Sequence, residues 1–245
     1  MFKHQGNSRT LQHNLRIATF LSFVAGVVNV SGFLAFKQLT TNVTGHFALF
    51  INDVSEFNFW KGLVYFLYIF SFLFGSFLSS FLIEKFKGNK QLNVYVLPTV
   101  IECLVLLVIG VLSNIIIMSA DLVVCLLLFA MGVQNSFVTK ISNAVVRTTH
   151  LTGLFTDLGI DLSHLLFPKS QHQKQRRKAD IKLRIYIIAF FFAGGLVGGF
   201  MYSSLNWELN TLIFAALVLL ASLFYDDMRY HLIKTKRRFI PKRSQ

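Results

Sequence analysis

Long apolar runs alternate with short polar gaps along this chain, and the runs have the length of a bilayer crossing. They cover residues 17–36, 63–83, 92–112, 122–138, 185–202 and 209–224. Each approaches the ~20 residues that a helix needs to span a hydrocarbon core. The pattern predicts an all-α integral membrane fold of six transmembrane helices. Residues 1–16 are polar, and the run after them lacks an A-x-A-type exit, so no cleavable signal peptide is expected.

The gaps hold a repeat. Residues 40–55 read TTNVTGHFALFINDVS and residues 148–163 read TTHLTGLFTDLGIDLS. Aligned without a gap they share Thr40/Thr148, Thr41/Thr149, Thr44/Thr152, Gly45/Gly153, Phe47/Phe155, Asp53/Asp161 and Ser55/Ser163, seven identities in sixteen positions. Upstream, FVAGVVN (23–29) matches FAMGVQN (129–135), which pairs Gly26 with Gly132 and Asn29 with Asn135. Downstream, FLFGSFLSSF (72–81) matches FFAGGLVGGF (191–200), pairing Gly75 with Gly194 and Ser79 with Gly198. The chain then divides into a membrane repeat over 17–118 and a second over 119–225. Three spans per half force the halves to cross the membrane in opposite senses, the inverted repeat of many secondary transporters. Broken or re-entrant segments are expected at the two TTxxTG motifs. Glycine frees the backbone there, and threonine hydroxyls can cap the amides of a following half-helix. A plain capped loop at the interface is the simpler alternative.

Composition fits a membrane: 54% of residues are hydrophobic, 27 are Phe, and only 14% are charged. A net charge of +13 would suggest nucleic acid in a soluble protein. Here the basic residues lie in the gaps, where topology explains them, and no nucleic-acid partner is expected. With a cytoplasmic amino terminus, 22 of the 24 Lys and Arg fall on the cytoplasmic side. That side includes the short turn after the second run, a basic loop over 168–184 and a basic tail over 226–245. Only Lys37 and Lys61 fall outside. The expected location is the plasma membrane, with both termini cytoplasmic and the lipid bilayer as the main partner. Cys103 and Cys125 read as small core residues.

GxxN in the first run, TTNVTG after it and GVQN…VRTTHLTGLFTDL in the second half resemble the uncharacterised bacterial YoaK-type membrane proteins. The resemblance covers nearly the whole chain. It implies a multipass membrane protein and supplies no chemistry. Where that family's first motif often ends in an acid (GxxD), this chain has Asn29.

The candidate substrate-binding residues are Asn29, Asn42, Thr44, Gly45, Asn135, Thr149, Thr152, Gly153 and Asp157. Each asparagine of the Asn29/Asn135 pair needs a partner in hydrocarbon, so it serves either as interhelical glue or as a solute contact. Gln134 could join on the second-half side. Amides exposed at a half-helix start would favour an anionic group. Asp157 is the acid nearest the second motif, beside Arg147, whereas Asp161 reads as interfacial. Glu102 sits mid-span, where a carboxylate costs ~2.5–3.5 kcal/mol on insertion scales; it is the candidate coupling residue, for protons. His46 and His150 read as polar boundary residues. With no HExxH, nucleophile elbow or Walker A sequence, no enzyme, metal or cofactor is expected.

Two functions fit. One is a secondary transporter of an unidentified small solute, with proton coupling an option that Glu102 opens. The other is a non-transporting scaffold or complex subunit, which could form a homo-oligomer through its small-residue helix faces. A polar cavity lined by both motifs would favour the first; dry, packed motif contacts would favour the second.

Overall fold

A computed structural model describes residues 11–87, 94–113, 115–116, 118–167 and 170–224. The expected cytoplasmic tail over 226–245, residues 1–10 of the amino-terminal segment, and Lys90 of the first basic turn lie outside the described residues. Those described form helices and connecting turns, without a strand.

The helices are α1 (Leu11–Phe36), α2 (Val43–Ser55), α3 (Phe59–Phe86), α4 (Val96–Leu112), α5 (Ala120–Ile141), α6 (Leu151–Leu166), α7 (Gln171–Gly199) and α8 (Glu208–Phe224). A π-helical turn, Phe200–Ser204, extends α7, and α8 opens with a 3-10 turn. Helices α1, α3, α5 and α7 are long and apolar enough to cross a membrane; α4 and α8 are shorter apolar helices. These six match the six apolar runs. The remaining two, α2 and α6, begin inside the two TTxxTG motifs.

The long helices differ in depth. In α1 and α5, 61% of the apolar stretch is buried within the protein, against 22% in α3 and α7. The outer pair therefore presents apolar side chains outward: Phe70, Leu73, Phe74, Phe77 and Phe81 on α3, Phe192, Leu196 and Phe200 on α7. Such continuous apolar surface is untenable in water and suited to acyl chains. The chain is a multipass membrane protein.

Inner and outer helices pack in pairs, α1 along α7 and α3 along α5. Glycine permits both approaches. A methyl group on Gly26 would stand 2.1 Å from the Phe191 carbonyl oxygen, and one on Gly194 would stand 2.0 Å from that of Phe23. In the other pair, Gly75 meets the Phe129 carbonyl at 2.1 Å and Gly132 that of Phe72 at 2.2 Å. The four contacts use equivalent positions of the two repeats. Ser76 Oγ adds a hydrogen bond to the Gly132 carbonyl (3.0 Å). Gly75, Ser79, Gly194 and Gly198 are thus buried within one chain.

Residues 168–184 are expected as a basic loop between spans. From Gln171 onward they are the first turns of α7. Ser170 Oγ accepts from the Gln173 amide (3.2 Å), and Gln, Lys, Arg and Ala are strong helix formers. Charge marked the segment as extramembrane without saying that it was irregular. Pro98 falls in the first turn of α4, where a missing amide hydrogen removes no intrahelical bond.

Candidate functional site

The two motifs are built alike from the side chains up. Just past the end of α1 stands Lys37 (φ 58°), and just past that of α5 stands Asn143 (φ 54°), left-handed residues that turn the chain back. Each motif then folds against the helix just left. Thr40 Oγ1 donates to the Val28 carbonyl (3.2 Å), and Thr41 Oγ1 donates to Asn29 Oδ1 (2.9 Å). In the second half Thr149 Oγ1 donates to Asn135 Oδ1 (2.8 Å), while Asn135 Nδ2 donates to the Met131 carbonyl (2.8 Å). The Asn–Thr bond is therefore made twice, at equivalent positions. Gln134, fully buried, donates to Thr148 Oγ1 and to the Leu21 carbonyl of α1, both at 2.9 Å. It ties the second motif to the inner helix of the first half.

Helices α2 and α6 start at the equivalent residues Val43 and Leu151. Asn42 caps α2, its Oδ1 accepting from the Gly45 amide (3.3 Å); His150 precedes α6 without a side-chain cap bond. Neither helix has an acid in its first turn. The leading amides of each lack an intrahelical acceptor and form the positive end of the helix dipole.

Both motifs line one cavity of about 930 Å³. Its walls contain Asn29 and Asn135, Leu39 and Arg147, Thr41 and Thr149, Asn42 and His150, Val43 and Leu151, Thr44 and Thr152, and Phe72 and Phe191. Every one of these pairs is repeat-equivalent. Gly45, Ala48 and Thr139 complete the lining without a paired counterpart. The volume suits a metabolite-sized solute, and the wall mixes amides, hydroxyls, one guanidinium and two aromatic rings.

Of the candidate residues, Asn29, Asn42, Thr44, Gly45, Asn135, Thr149 and Thr152 come together at this cavity, whereas Gly153, Asp157 and Glu102 do not line it. The His150 ring covers Gly153, where a methyl group would lie 2.4 Å from Cδ2. Asp157 is half-exposed and faces Arg184 (3.6 Å) rather than Arg147. Glu102 is fully buried in α4, with neither carboxyl oxygen hydrogen-bonded. Asp161, expected at the interface, is instead 1% exposed and paired with Arg177 (2.6 Å) and Arg184 of α7. His46 is buried too: its Nε2 lies 2.8 Å from the Leu39 carbonyl, and its ring packs on Tyr65 and Tyr68. A carboxylate or imidazole at a helix edge looks like a boundary residue until the neighbouring helix supplies its partner.

Sequence reasoning overlooked Phe72 and Phe191 as lining residues. They had a signal, since each stands three residues before a matched glycine of the downstream repeat.

Residues 17–225 match the family described as "Protein of unknown function (DUF1275)". The chain is also similar to "UPF0700 transmembrane protein YoaK" of Bacillus subtilis (strain 168), with 24% identity over 214 residues, 82% of this chain and 92% of that protein. No solved structure matches. With matching residues over most of its length, the chain belongs to the DUF1275 family, described as of unknown function.

Proposed function

We propose that this protein is a secondary transporter built as an inverted repeat, with the cavity between the TTxxTG motifs as its solute site. The observation that carries the reading is the composition of that cavity: fourteen of its seventeen lining residues form seven repeat-equivalent pairs. Paired polar residues facing one hollow are what a pseudo-two-fold site between two halves requires. In a scaffold the same positions would more economically be filled with apolar contacts. On this reading α2 and α6 are half-helices re-entering from opposite sides, and α4 and α8 complete six spans. Irregular backbone at membrane depth is stable where it lines such a cavity.

The basic residues orient the protein with both termini in the cytoplasm of a plasma membrane. Glu102 is the proposed coupling group. A buried carboxyl with neither oxygen hydrogen-bonded has no structural partner to serve, and a conformational change that brings it into contact with water would let it exchange a proton. This route couples through conformation, since Glu102 stands outside the cavity wall.

The test is uptake into proteoliposomes from a pooled metabolite mixture, read by mass spectrometry with and without a proton gradient. We expect one solute class to accumulate with the gradient, and Glu102→Gln to abolish the gradient-driven part while leaving the protein folded. Failure of every solute to accumulate, in either protein orientation, would overturn the transporter reading.

A further inference from the structure

Charge in the cavity is one-sided. Among the described residues lining it there is no aspartate or glutamate, and Arg147 is the lining residue with a permanent charge. Arg147 is exposed, directly precedes the second motif, and makes no ion pair among the described residues. The nearest acids along the chain are engaged elsewhere: Asp161 by Arg177 and Arg184, Asp157 by Arg184. The repeat sharpens the point. Asparagines, threonines and aromatic rings of the wall occur on both halves, but the counterpart of Arg147 is Leu39. A guanidinium needed only to fold the motif would be expected in both copies, since both copies fold alike.

We infer that the solute of this cavity is a small anion bearing a carboxylate, phosphate or sulfate group, with Arg147 as its charge partner. The inference rests on the cavity being the solute site proposed above. Guanidinium presents a planar fork of donors that matches two oxygens of such a group. The open amides at the starts of α2 and α6 line the same space with no acid beside them and add favourable potential. Asn29 and Asn135 are held by Thr41 and Thr149, so the frame around the anion is rigid and neutral. The remaining volume, with Phe72 and Phe191 in its wall, leaves room for an apolar body attached to the anionic group.

The experiment uses the full chain in nanodiscs of phosphatidylcholine and reads the thermal unfolding midpoint against concentration of each probe at fixed ionic strength. The probes are sulfate, inorganic phosphate, succinate and benzoate, with choline and mannitol as cationic and neutral comparisons. We expect a saturable rise with at least one anion and none with choline or mannitol. Arg147→Gln should weaken that anion about tenfold or more, the loss expected for a charge-assisted hydrogen bond, and Arg147→Lys should retain part of the affinity. Because Arg147 is exposed, both variants are expected to fold, which their midpoints without probe will show.

Protection by choline or mannitol that Arg147→Gln leaves unchanged would overturn the anion assignment and spare the transporter reading. No response to any of the four anions would overturn the assignment as well. Anion protection that depends on Arg147, without anion uptake in proteoliposomes, would uphold the assignment and sink the transporter reading. A parallel arm with phosphatidylglycerol separates the sources. Arg147-dependent stabilisation by that lipid alone, with no response to soluble anions, would make a headgroup the occupant and overturn a free anion as the solute.

Discussion

Helices α2 and α6 begin at matched residues of the two TTxxTG segments, yet they are held against their neighbours by different chemistry. Helix α2 docks on α3 through rings: His46 lies between Tyr65 and Tyr68, with centroids 6.1 and 5.1 Å away, and Phe50 meets Phe66 at 6.0 Å. Tyr68 in turn donates to Asp121 of α5 (2.6 Å). Helix α6 docks on α7 through charge, with Asp161 held by Arg177 and Arg184, and Asp157 also facing Arg184. The counterpart of Asp161 is Asp53, which makes no ion pair among the described residues. A shared motif therefore fixes where a helix begins. What it docks against depends on the helix that follows: α3 offers tyrosines and phenylalanines, while the first turns of α7 offer arginines.

The largest difference is expected at the matched aspartates. Asp161→Ala leaves two arginines beside a buried surface and should destabilise the protein by about 3 kcal/mol in detergent unfolding. This is the low end for breaking a buried pair, because the arginine side chains are 31% and 22% exposed. A loss under about 1 kcal/mol would mean that the charge pairs are not what holds α6. Next, His46→Ala removes the ring contacts and leaves the Leu39 carbonyl without its partner, at a cost of about 2 kcal/mol by the same measurement. The smallest effect belongs to Asp53→Ala, within about 0.5 kcal/mol. A change at Asp53 as large as that at Asp161 would erase the distinction between the two docks.

Most of the helical organisation was legible in the chain. Apolar runs located α1, α3, α5 and α7 because a membrane helix must be apolar over its whole length. The matched glycines forecast close helix contacts, since little else can bring two backbones so near. The site was legible in part. Thr44, Gly45 and Thr152 drew attention as a repeated polar motif among apolar residues, and the Asn29/Asn135 pair through its matched GxxN. Asp157 looked equally qualified, but its position on α6 turns it toward Arg184. Residues 168–184 read as a loop because basic composition reports which solvent a segment meets, not whether its backbone is helical.

The sequence by itself determined the membrane class, the two matched TTxxTG segments between apolar runs, and the polar residue types they carry. These are properties of adjacent residues, set by hydropathy, capping and backbone freedom. Only the tertiary structure decided that Thr41 and Thr149 turn back onto Asn29 and Asn135, that Arg147 joins both motifs at one cavity, and that Arg177 and Arg184 neutralise Asp161. Partners distant in the chain meet because α1 packs along α7 and α3 along α5. The identity of a polar residue's neighbour is a consequence of that packing, and local sequence does not encode it.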